Sequence, residues 1–153
     1  MKKSAKIGVA TTAAIAAVAG TVSYVAFTEI MSRKAKLTPF FEKVFVKSNE
    51  NEVTFDGSQS DERRDWFYEQ KLERHEIISD RGERLRGYTI MADKPSNLFF
   101  FGVHGYRGEG KHEFCYIAKY YHDKGFNIFL MDHQAAGESD GTYISFGHFE
   151  HQN

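Results

Sequence analysis

The chain has 153 residues, enough for about one domain. With 20 Lys and Arg against 21 Asp and Glu it is near neutral overall, but residues 1–36 hold six of the bases and one acid, which leaves 14 bases and 20 acids beyond them. That anionic remainder has no basic stripe to neutralise phosphates, which argues against nucleic-acid binding, and a single cysteine, Cys115, excludes an internal disulfide framework.

Residues 1–36 read as a membrane anchor or signal segment. Ile7–Thr28 carries no charge for 22 residues, lysines precede it, and Arg33, Lys34 and Lys36 follow. A bilayer needs about 20 mostly apolar residues. The competing reading is a cleaved signal peptide with Ala17-Val18-Ala19 as its processing site. The apolar run continues past that site through Tyr24, Val25, Ala26 and Phe27, which favours the uncleaved anchor. The expected partner is therefore the membrane, reached through residues 7–28. Positive charge flanks both ends, so it scarcely sets orientation.

Residues 37–73 read as a connecting segment with a short helix. Leu37–Val46 mixes Phe40, Phe41, Val44, Phe45 and Val46, and packs on the domain or lies near a membrane surface. Lys47–Ser60 is polar and loop-like. A helix is predicted from Ser58-Gln59-Ser60-Asp61 to about Leu72, capped by Ser58 or Ser60, with Asp61 and Glu62 at the positive end of its dipole. Trp66, Phe67 and Tyr68 are adjacent, so they cannot share one helix face, and core packing is the simplest role for them.

Residues 74–153 read as a partial α/β domain. His75–Ser79 and Glu83–Ala92 form a hairpin about Asp80-Arg81-Gly82. Leu98–Val103 is a continuous apolar run, as in a strand buried on both faces. His104-Gly105-Tyr106-Arg107-Gly108-Glu109-Gly110 breaks it with three glycines. Phe114, Ile117, Ala118 and Tyr121 then mark one face of a helix, which Lys124 and Gly125 end. Phe126–Met131 is the second strand of a right-handed β-α-β unit. Cys115 reads as a small buried hydrophobe. Glu109, Glu113 and Asp123 read as a solvated helix face, and His112, His122 and His133 as helix-surface or loop residues.

An apolar strand closing on His104-Gly105-Tyr106, then a helix, a strand and Asp132…Gly137-Glu138-Ser139, resembles the α/β-hydrolase fold. The resemblance is to bacterial membrane-anchored or secreted hydrolases related to serine aminopeptidases and lysophospholipase-like esterases, and it covers roughly Glu73–Asn153. It implies ester or amide hydrolysis by a serine nucleophile, without a cofactor, in a domain outside the cytoplasm. It also implies that the turn after the first parallel strand supplies an oxyanion-hole donor, the backbone N–H of Tyr106, with Gly105 allowing close approach and His104 stabilising the turn.

Gly137-Glu138-Ser139-Asp140-Gly141 matches G-x-S-x-G, the nucleophile elbow. The elbow needs a strand running into the serine and a helix leaving it. Here His133-Gln134-Ala135-Ala136 intervene after Asp132, and Thr142–Gly147 is a poor helix start. Ser139 is therefore considered and rejected as nucleophile. The resemblance assigns this segment to a structural loop of the form D-x-R-x-x-G-x-S-x-G. Gln134 stands where Arg is frequent and Ala136 where His is frequent, which puts the loop's usual fixation in doubt. His148-Phe149-Glu150-His151 suggests metal only weakly, since no third ligand has a recognisable spacing; the start of a further helix is the simpler reading.

By the same resemblance the nucleophile, acid and base all lie beyond this sequence. The expectation is an amino-terminal piece of a hydrolase, marginally folded and inert alone. The alternative is a membrane-tethered interaction module, or one half of a split protein, that completes its sheet with a partner such as a complementing C-terminal half. A self-sufficient hydrolase using Ser139 is a third reading.

Overall fold

The computed structural model describes residues 2–35 and 57–152, with side chains over 14–35 and 61–151. Helix α1, Lys2–Met31, is followed by α2, Gly57–Glu69, and by strands β1, Glu73–Ile78, and β2, Arg84–Ile90. Strand β3, Phe99–Val103, helix α3, Gly110–Asp123, and strand β4, Asn127–Asp132, complete the sheet, and a 3-10 turn spans Glu150–Gln152. The strand order is β1-β2-β4-β3. β1 and β2 are antiparallel, as are β2 and β4, while β3 and β4 run parallel. This is the α/β class expected from the sequence: a hairpin, then β-α-β, behind an apolar helix. The reading of Leu37–Val46 falls outside the described residues.

The hairpin turns where Asp80-Arg81-Gly82 placed it. Gly82 N–H donates to Ser79 C=O and Ser79 N–H to Glu83 C=O, with Gly82 at φ +82°. Gly82 thus takes the left-handed position of a three-residue loop. Helix α3 ends in a Schellman motif. Gly125 N–H donates to His122 C=O, Phe126 N–H donates to Tyr121 C=O, and the Tyr121 and Phe126 rings lie 5.6 Å apart.

The core lies between the sheet and helices α2 and α3. Phe67, Ile90, Cys115, Ala118, Ile128 and Leu130 are buried there, with Phe100, Phe114, Trp66 and Tyr121 packed against them. Gly102 lets α3 come close, because a Cβ there would lie 2.6 Å from Leu130 and 2.7 Å from Phe114. Of the three adjacent aromatics, Phe67 is fully buried, Trp66 packs on the His122 ring and Tyr68 is exposed. Cys115 is buried, its thiol pushed up in pKa by that burial.

Four expectations need correction. β3 is covered on one face only: Phe100 and Gly102 meet α3, while Phe99, Phe101 and Val103 are exposed on the other, where no described layer lies over them. α2 starts at Gly57 and stops at Glu69, so Ser58 and Ser60 are in its first turn rather than before it. His122 is not on the surface; it is buried at the end of α3 and its Nε2 donates to Met91 C=O at 3.0 Å. Glu113 is not merely solvated; its carboxylate accepts Gly105 N–H.

Candidate functional site

The carboxyl ends of parallel strands β3 and β4 are where open α/β sheets bind ligands. A cavity of about 210 Å³ lies there, lined among others by His104, Gly105, Tyr106, His133, Ile144 and Phe146. The residues that directly follow the two strands, His104 and His133, line it.

Asp132 closes β4. Its carboxylate is fully buried, and accepts from Gly110 N–H at 2.9 Å, Glu138 N–H at 2.9 Å and the Tyr88 hydroxyl at 3.4 Å. One side chain thus joins β2, the start of α3 and the loop after β4. Two glycines permit the approach: a Cβ on Gly110 would sit 2.7 Å from Met131 C=O, and one on Gly137 would strike the Asp132 carboxylate. Burial, with the nearby Asp132 charge, pushes the Tyr88 phenol far up in pKa, so it serves as a donor.

His104 is buried beneath the turn. Its Nε2 accepts His133 N–H at 3.0 Å, so the ring proton belongs on Nδ1, which donates to Gly105 C=O at 2.8 Å. Both ring nitrogens are therefore spent on the backbone, and the two histidine rings meet edge to face at 4.7 Å. Burial, followed by the neighbouring His104, holds the His133 pKa below its usual value.

Gly105 N–H donates to the Glu113 carboxylate at 3.2 Å, so the first turn of α3 reaches back over the loop. A Cβ on Gly105 would meet nothing within 4 Å, whereas one on Gly108 would strike Glu113. A side chain at Gly108 would therefore displace the Glu113 carboxylate from its place over the turn. The left-handed residue of the turn is Arg107, at φ +59°, which costs about 1 kcal/mol or more in a side-chain-bearing residue. Tyr106 N–H has no hydrogen-bond partner among the described residues. The ring of Tyr106 stacks on Phe146 at 5.0 Å across the cavity wall.

Ser139 is buried, 1% exposed. Its hydroxyl donates to Asp132 C=O at 2.7 Å and accepts Arg86 N–H at 2.9 Å. It does not line the cavity with His104 and Tyr106. The loop around it is held despite the absence of Arg at 134 and His at 136. Gln134 accepts from the Arg81 guanidinium, Ala135 N–H donates to Asp140 C=O, and Arg84 pairs with Asp140 at 2.9 Å.

Glu150, on the far wall, accepts from Ser145 N–H at 3.3 Å and Gly147 N–H at 2.8 Å. Burial alone would raise its pKa; the donors from Ser145 and Gly147 outweigh this and hold it below the ordinary carboxylate value. His148 and His151 lie beside it in the terminal turn, and His151 is bonded to Gly147 C=O. Sequence reasoning missed Glu113 and the fixing role of Asp132. The signal for Asp132 was its place at the end of an apolar strand, where a lone carboxylate needs donors.

No family model matches the chain, and comparison with curated proteins finds no match. Solved structures do show likeness over part of it. An esterase of Pyrococcus furiosus aligns at 22% identity and a TM-score of 0.44, over 55% of this chain and 31% of the esterase. The α/β hydrolase GrgF from Penicillium sp. sh18 aligns at 24% and 0.40, over 46% and 24%. DcsB, in complex with its substrate analogue, aligns at 22% and 0.39, again over 46% and 24%. The chain thus matches a quarter to a third of each neighbour's length, and function is read from the site itself.

Proposed function

We propose that this chain is the amino-terminal part of a membrane-anchored hydrolase of ester or amide bonds. In this reading the turn after β3 presents Tyr106 N–H to the oxyanion of an acyl-transfer transition state. The observation that carries it is a Tyr106 N–H without a hydrogen-bond partner among the described residues, in a residue lining a cavity at the carboxyl ends of β3 and β4. One such fixed donor is worth about 10²–10³ in rate. His104 and Glu113 hold the turn; neither is assigned proton transfer. Ser139 is a loop fastener, because a hydroxyl enclosed by two backbone bonds has no approach to a substrate carbonyl. The attacking serine, its base and its acid belong to polypeptide outside this sequence. No cofactor is assigned to the reaction.

The test is a fluorophosphonate probe on the full chain in detergent micelles, alone and co-expressed with the reading frame that follows its gene. The expected result is no adduct on Ser139, and an adduct on a G-x-S-x-G serine of the following frame. Ester hydrolysis by the chain alone that disappears in Ser139→Ala overturns the reading.

A second reading has its own support. β3 lies at the end of the sheet order, with Phe99, Phe101 and Val103 exposed. Such an edge suits pairing with a partner strand. A membrane-tethered module of this kind would capture the complementing half without gaining probe reactivity.

A further inference from the structure

The last turns of α1 are bonded to the loops that wall the cavity. Ser32 and Tyr143 form a β-bridge, Ile144 N–H donates to Met31 C=O at 2.7 Å, and Arg33 N–H donates to Thr142 C=O at 2.9 Å. The Tyr106 hydroxyl donates to Ile30 C=O at 2.5 Å, and the Arg107 guanidinium donates to Glu29 C=O at 3.1 Å and to Ala35 C=O. The carbonyls of Glu29 and Ile30 are among the last of the helix, which lack intrahelical donors and form the negative end of its dipole. The two residues that satisfy them directly follow Gly105. From the other side Arg33 donates to Ser139 C=O at 2.5 Å and to Gly137 C=O.

These bonds fix the height of the cavity relative to the helix. Ile15, Val18 and Val22 are exposed along α1, whereas Ala26–Met31 is mostly half-buried against the domain. From Ile7 to Phe27 the helix rises roughly 31 Å at 1.5 Å per residue, close to the ~30 Å hydrocarbon core of a bilayer. A helix spanning that core therefore leaves it near Phe27. The Phe27 ring lies 5.4 Å from that of Tyr143, on the loop bridged to Ser32. Tyr24, Phe27, Tyr143, Tyr106 and Phe146 are all at least 41% exposed. Single surface aromatics are ordinary. Four of these form two ring pairs, Phe27 with Tyr143 and Tyr106 with Phe146, at the level where tyrosines gather between hydrocarbon and water. Lys34, exposed beside them, adds a cation at headgroup height.

Resting on the reading of α1 as an uncleaved span, we propose that the face carrying Tyr106, Tyr143 and Phe146 lies in the headgroup layer. The cavity rimmed by Tyr106 and Phe146 then opens onto lipid. Its ligand is an amphiphile that arrives from the bilayer, an acyl lipid rather than a water-borne peptide or small ester.

Quenching by lipids brominated along the acyl chain tests this in the full chain, reconstituted into phosphatidylcholine vesicles. Trp66 is a built-in reference: it packs on His122, near the end of α3 remote from the cavity. The reporters are Val18→Trp for the span, and Phe146→Trp and Tyr143→Trp for the face. The expected result is loss of most of the added emission in all three variants, with the Trp66 emission of the parent chain retained. Quenching in Val18→Trp but in neither face variant overturns the proposal and leaves the anchor standing. No quenching in Val18→Trp overturns the anchor and the proposal together.

Discussion

At Asp132 a single carboxylate does the work that several contacts do elsewhere. Fully buried, it accepts from two backbone N–H groups and one phenol. Removing it takes the acceptor from two backbone N–H groups and weakens the anchorage of a buried phenol, at about 1–3 kcal/mol for each donor left unsatisfied. We expect Asp132→Ala to lose ~3 kcal/mol or more in urea unfolding of the full chain in micelles, while Ser139→Ala, which strands Arg86 N–H, loses about 1–2 kcal/mol. His133 makes a pH-dependent contribution. Its folded pKa is depressed by burial and then by His104. The unfolded chain therefore binds the proton first as pH falls. The stability is fully present above the unfolded value of about 6.5 and is lost as pH drops through the folded value. Midpoints of thermal unfolding should fall across that window in the parent chain and fall less steeply in His133→Asn.

At the scale of elements, the legible parts were those with their own local chemistry. The end of α3 was read from Lys124-Gly125, and it is a complete Schellman cap with Gly125 at φ +82°. Gly125→Ala should cost about 1 kcal/mol, because an alanine must take a left-handed conformation there. The hairpin turn was likewise read from Gly82. Helix α2 was less legible. Trp66, Phe67 and Tyr68 give no stripe, and only the packing of α2 on α3 selects Phe67 for the core. Phe67→Ala should cost about 3–5 kcal/mol, against a much smaller loss for Tyr68→Ala at its exposed position; equilibrium unfolding of both variants checks this. The turn at His104–Gly110 was located correctly, but its internal demands were not. Three glycines suggested where the chain would bend, yet the left-handed residue is Arg107, whose guanidinium is bonded to Glu29 C=O in the last turn of α1 and to Ala35 C=O beyond it.

For the whole molecule, the unsatisfied surface is the outer face of the sheet. Phe99, Phe101 and Val103 stand open beside Phe129 and Met131, and β3 is one of the two edge strands of the described sheet. Exposed apolar patches joined to a free edge associate. The full chain in micelles should self-associate with rising concentration, and Phe101→Lys should lower this without shifting the unfolding midpoint by much. Analytical ultracentrifugation decides; a chain that stays monomeric would show that the face is inert.

What the amino-acid sequence determined alone is what depends on near neighbours: periodicity, turn glycines, caps, the uncharged run of α1 and the β-α-β order. Those signals are local because hydrogen bonds within helices and turns span only a few residues. Tertiary structure decided the rest: that Ser139 is sealed between Asp132 and Arg86, that Glu113 occupies Gly105 N–H, and that the end of α1 is tied to the cavity loops. Each of those facts joins residues through space, where a side chain's role is set by which donors and acceptors the sheet happens to bring within bonding distance.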